Sequence, residues 1–137
     1  MFANYKSLAS VLVGISCSFA ISAPLPDCPK ILSVSEVAQS SPTGWDQSSY
    51  SVARIFNRVS FKAHSDAGEL RPDDEKGKPG NRLLMWDVDG IKGLEQVCAY
   101  AGTVARLTRS VSGYFKVCSA REERLSDGGS NFKIECH

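Results

Sequence analysis

The sequence predicts a mainly β protein: a single antiparallel sheet, small sandwich or barrel of six to seven strands, with at most one short helix and two disulfides. Three observations carry this. Apolar residues alternate with period two in most of the non-loop segments. Turn signals built on Gly, Asp, Asn and Ser recur every ten or so residues, the spacing of antiparallel architectures. An even number of cysteines follows an export leader.

The leader occupies residues 1–22. Lys6 supplies a positive start, an apolar stretch runs from Leu8 to Ile21, and Ala20-Ile21-Ser22 offers a small-residue cleavage site just ahead of Pro24. The run is broken by Ser10, Gly14, Ser16 and Ser18 and falls short of the ~20 apolar residues of a membrane-spanning helix. Cys17 is read as a passive part of this segment. Gly14 stands where a lipidation signal has an aliphatic residue, which leaves a lipid anchor as the lesser alternative. Residues 23–137 then form one disulfide-braced β domain, periplasmic or secreted. Lys6 leaves with the leader, so the mature chain carries 15 basic and 15 acidic residues. That balance excludes the clustered positive charge of a nucleic-acid binder or of a polybasic membrane contact.

Four cysteines remain, Cys28, Cys98, Cys118 and Cys136. A structural zinc site or a redox pair needs closely spaced ligands, and no Cys-x-x-Cys occurs. Two disulfides are the consistent reading for an exported chain. Four cysteines allow three pairings. If the Ser126-Asp127-Gly128-Gly129 turn closes a hairpin, positions 118 and 136 fall almost opposite each other, which favours Cys118–Cys136 and leaves Cys28–Cys98 to pin the N-terminal arm to a central strand.

Taken in order, KILSVSEV (30–37) reads as the first strand, and the Ser-, Pro- and Gly-rich stretch after it reads as a loop holding Trp45. In SVARIFNRVSFKAH (51–64), Val52, Ile55, Phe56 and Val59 have helical spacing, whereas Val59, Phe61 and Ala63 alternate. The expectation is a short helix or irregular turn followed by a strand over 58–64. SDAGELRPDDEKGKPGN (65–81) reads as one long polar loop, of the kind that often carries function. RLLMWDVD (82–89) is a strand ending in a Gly90–Gly93 turn. GLEQVCAY and TVARLTRSV are strands joined at Ala101-Gly102, and GYFKVCSA and NFKIEC are the last two.

Chemistry is sparse. His64 lies at a strand end and His137 is the last residue, and no Gly-x-Ser-x-Gly elbow accompanies either. Asp87 and Asp89 share a strand face before Gly90 and read as turn-terminating, since calcium takes about 6–8 oxygens and no EF-type loop is present. Arg106 and Arg109 read as solvated or paired with the acidic loop. No catalytic, metal or cofactor site is expected, and a binding role is preferred to an enzyme. The candidate binding residues are Trp45 and Tyr114, as aromatic anchors, and Asp73, Asp74 and Glu75, as an acidic loop complementing a basic cleft on a protein partner.

Cys28-Pro29, Gly44-Trp45, Val59-Ser60-Phe61, Leu70-Arg71-Pro72, Trp86, Cys98-Ala99-Tyr100, Thr103, Leu107, Cys118 and Cys136 stand in an order that resembles a family of small, exported, functionally uncharacterised proteobacterial proteins. The resemblance spans the mature chain. Gln96 departs from it, standing where an aromatic is expected. A looser similarity is to the periplasmic β-barrel inhibitors of lysozyme, although SVSGYF (110–115) carries its tyrosine too early for their motif. The resemblance implies export, two disulfides and an inhibitor or immunity protein that occludes an envelope-acting enzyme, a cell-wall hydrolase or a toxin. An accessory component of the envelope or of a secretion apparatus is the alternative, and a hydrolase resting on His64 or Asp87 a third.

Overall fold

The computed structural model describes residues 22–37, 42–44, 46–47, 49–66 and 68–137. Residues 1–21, where the sequence predicts a leader holding Cys17, and Trp45 lie outside the described residues. Nine strands form two antiparallel sheets: β1 (Ala23–Leu25), β2 (Ile31–Glu36), β3 (Tyr50–Ala63), β4 (Asp74–Lys78), β5 (Asn81–Asp87), β6 (Leu94–Tyr100), β7 (Arg106–Ser110), β8 (Val117–Arg124) and β9 (Ser130–Cys136). One sheet has the order β1-β9-β8-β5-β4 and the other β2-β3-β6-β7. The architecture is the expected β protein with two disulfides, with more strands than anticipated and no helix among the described residues.

The two inner faces meet in an aromatic-rich core. Leu84, Trp86, Ala120, Phe132 and Ile134 come from the first sheet, and Val59, Phe61, Cys98 and Tyr100 from the second. Phe61 meets Trp86 edge-on at 5.1 Å, and Phe56 meets Phe132 at 5.7 Å. Such pairs contribute about 0.5–1.5 kcal/mol beyond the area they bury.

The segment expected to begin as a helix is continuous strand. Tyr50–Ala63 pairs with β2 through Ile55 and with β6 from Phe56 onward, and the register slips between Phe56 and Arg58. Asn57 is the extra residue of a β-bulge, which shifts the alternation by one. Val52, Arg54 and Phe56 face inward before it, and Val59 and Phe61 after it. The three-residue step from Phe56 to Val59 is what looked helical.

The long loop expected over 65–81 is also largely structured. Leu70 N–H bonds the Phe61 carbonyl at 2.6 Å, so the segment runs back along the free side of β3. Asp74–Lys78 then forms a hairpin with β5. Gly77 has φ +99°, and a Cβ there would sit 2.2 Å from the Asn81 carbonyl oxygen, so the hairpin needs glycine at this place. β4 lacked an apolar signature because it is an edge strand made of DEKGK.

Cys118 and Cys136 are direct cross-strand partners on β8 and β9, bonded with Cα atoms 4.1 Å apart. Cys28 is bonded to Cys98 on β6 and fastens the segment that passes from the first sheet to the second. Gln96 Nε2 donates to the Pro26 carbonyl at 3.0 Å, and Tyr100 Oη donates to the Pro29 carbonyl at 2.9 Å. Three contacts therefore hold the same short arm.

Candidate binding surface and family

Two polar regions stand out against this frame. The first is a cleft of about 510 Å³ beside β3, with Val59, Leu84, Trp86 and Phe132 at its floor and Arg58, Glu69, Arg71, Glu75 and Arg82 at its rim. Glu69 is its electrostatic centre. It accepts from Ser60 Oγ at 2.6 Å, Arg58 Nη2 at 2.9 Å and Arg106 Nε at 3.1 Å. Burial alone would raise its pKa, but the hydrogen bonds from Ser60, Arg58 and Arg106 outweigh that and lower it from 4.5 to about 2. Across the cleft, Arg82 Nε donates to Glu122 at 2.6 Å, and Ser130 Oγ donates to the other Glu122 oxygen at 2.9 Å. Glu122 is buried. Burial works to raise its carboxyl, and Arg82 with Ser130 holds it below the usual range. Both clusters are internally paired, so the cleft wall is braced.

The second region is an acidic end. Asp73 Oδ2 accepts from the Asp87 N–H at 2.7 Å, Asp87 Oδ1 from the Asp89 N–H at 3.0 Å, and Asp89 Oδ1 from the Tyr114 hydroxyl. Tyr114 is 72% exposed although its hydroxyl is bonded. The bond to Asp89 raises its pKa, so the phenol stays neutral. Of the residues singled out from sequence, the structure brings Asp73 and Tyr114 together here. Asp74 lies on β4 and pairs with Lys76 at 3.1 Å, and Glu75 turns to Arg82 at 3.4 Å on the cleft rim. His64 Nδ1 lies 2.7 Å from Glu95, which also pairs with Lys62 at 3.2 Å. Sequence reasoning missed Arg58, Glu69, Arg82 and Glu122, whose partners come from separate strands and leave no local spacing to read.

A family model described as the type VI secretion system Tli immunity protein matches residues 51–137, from the start of β3 to the last residue. The chain belongs to the Tli immunity protein family. No curated protein and no solved structure matches the chain. As a Tli immunity protein it is a non-enzymatic inhibitor. It binds a cognate type VI toxin protein in the cell envelope. His64 is hydrogen-bonded to Glu95, and Asp87 caps the turn at Asp89. Two disulfides suit that oxidising compartment.

Proposed function

We propose that the protein neutralises a lipase toxin in the periplasm by seating its acidic, tyrosine-tipped end over the enzyme's substrate entrance. The observation that carries this reading is Tyr114, a large exposed aromatic whose hydroxyl is already bonded to Asp89. An anchor fixed before binding loses little side-chain freedom on docking. Tyrosine is among the residues that dominate interface energetics. An enzyme that works on anionic lipid is drawn to its surface by basic residues. Carboxylates at Asp73, Asp87 and Asp89 are the complement to such a rim and compete with the lipid for it. Removal of residues 1–22 would deliver the chain to the compartment where the toxin acts.

The test is titration of the cognate toxin, hydrolysing anionic vesicles, with wild-type protein, Tyr114→Ala and Asp89→Asn. Stoichiometric inhibition is expected from the wild type. Tyr114→Ala should weaken it by about 2 kcal/mol, roughly thirtyfold. Unchanged inhibition by both variants removes the acidic end from the interface. Tight binding without loss of hydrolysis defeats the occlusion mechanism.

A further inference from the structure

Among the described residues the two sheets have four edge strands. Three carry the usual protections against pairing with another chain. β1 is three residues long and contains Pro24, β4 has charges at four of its five positions, and β7 carries Arg106 and Arg109. β2 differs. Its six residues, ILSVSE, hold one charge at the end and neither proline nor glycine. Ile31 on β2 and its cross-strand neighbour Ile55 are 64% and 68% exposed, side by side on one face.

The hydrogen bonding shows which backbone groups of β2 are open. Phe56 N–H donates to the Lys30 carbonyl, and Ala101 N–H donates to the Ile55 carbonyl, both at 2.9 Å. The first makes Lys30 and Phe56 a bonded pair. The second turns Ile55 away from β2. Bonded and non-bonded pairs alternate along an antiparallel ladder. Lys30, Leu32, Val34 and Glu36 therefore bond to β3, and the N–H and C=O groups of Ile31, Ser33 and Ser35 point off the sheet.

We propose that this edge pairs antiparallel with the same edge of a second copy, about a two-fold axis at Ser33, joining two sheets into one. Only the outward-pointing positions can form the ladder, so the permitted registers set odd-numbered residues opposite each other. The register centred on Ser33 overlaps the whole strand. It sets Leu32 against Val34 and Lys30 against Glu36, so a cation meets a carboxylate at both ends of the contact, and Glu36 shares its charge with Arg54 of its own chain at 2.9 Å. Sliding to the neighbouring permitted register on either side separates both charge pairs. Ile31 and Ile55 of the two copies then share one face. The pairing is isologous, so it closes at two subunits. It also leaves the acidic end free. Tyr50–Ile55 at the start of β3 carries β2, whereas Tyr114 lies beyond the other end, where His64 N–H meets the Gly93 carbonyl and Val111 N–H meets the Leu94 carbonyl.

Sedimentation equilibrium of the disulfide-bonded mature protein tests this, with Ser33→Pro and Lys30→Glu beside the wild type. Proline at 33 removes an N–H that bonds nothing among the described residues, so the circular dichroism and melting temperature should hold. The wild type should show a concentration-dependent dimer, weakened at least about tenfold by either substitution. A wild type that stays monomeric into the millimolar range overturns the proposal. So does a correctly folded Ser33→Pro that dimerises as tightly as wild type. Loss of toxin binding in Ser33→Pro from a wild type that is monomeric identifies a toxin strand as the occupant of the edge, and likewise overturns it.

Discussion

Replacing Glu69 with Gln removes the one negative charge held between Arg58 and Arg106 while keeping the shape of the side chain. The free energy at stake follows from linkage. The carboxyl titrates at about 2 when folded, against an ordinary value of 4.5. At 1.36 kcal/mol per unit, this sets a ceiling of about 3 kcal/mol. Solvent at the cleft mouth screens the arginines and reduces the expected loss to about 1–2 kcal/mol. A lowered carboxylate pKa contributes stability above its unfolded value, and that contribution disappears as the pH falls through the folded value. The wild type should therefore exceed Glu69→Gln in stability at pH 7. The gap should begin to close below about pH 4.5 and be gone below about pH 2. Urea denaturation of both proteins across this range isolates the effect, because every other carboxylate titrates in both. A gap that is constant from pH 7 to pH 2, or absent at pH 7, refutes the assignment of Glu69 as the charge that binds the cleft together.

Three further outcomes are expected. Replacing Cys28 and Cys98 by Ala releases a 70-residue separation and should cost about 4 kcal/mol, whereas replacing Cys118 and Cys136 releases 18 residues and should cost about 3 kcal/mol; chemical denaturation ranks the two, and the reverse order would mean that native packing outweighs chain entropy. Gly77→Ala should lower stability by more than about 1 kcal/mol, while Gly128→Ala, at φ +85° with nothing within 4 Å of the added carbon, should cost less; comparable losses would place the whole effect in the backbone conformation. Phe61→Ala should cost about 3–5 kcal/mol and Ile55→Ala close to nothing in the same thermal or urea assay, since Phe61 is fully buried against Trp86 and Ile55 lies 68% exposed on the same strand.

Strands that alternate against a core were legible from the residues alone. In β5, Leu84 and Trp86 share the inner face, as their period-two alternation put them on one side, and β9, read as the last strand, turns Phe132 and Ile134 inward. The Cys118–Cys136 pairing was legible because the distance of each cysteine from the Gly128 turn set the two opposite. β4 was not legible. An edge strand answers to solvent and to its own exposed N–H groups, so its charges resemble those of a loop. The first half of β3 misled for the opposite reason, because a bulge leaves a mixed period. The acidic end was partly visible, as Tyr114 in a segment read as strand and carboxylates in a polar stretch, whereas β8 begins only at Val117. The hydrogen bonds linking Asp73 to Tyr114 through Asp87 and Asp89 exist only once the strands are paired. Glu69 was invisible for the same reason. Its three donors stand at positions 58, 60 and 106, on two strands separated in the sheet by β6.

The extra residue at Asn57 gives β3 one place where its length can change. Deleting it would leave unbroken alternation, with Phe56 inward, Arg58 outward and Val59 and Phe61 inward as before, and Arg58 would still face Ala99 on β6. One further residue inserted beside it would instead turn Val59 and Phe61 toward water and take the Trp86 contact with them. A deletion scan along β3 should therefore find Asn57 its most tolerated position, with sharper losses of soluble protein where a deletion falls between Val52 and Phe56 or removes Phe61.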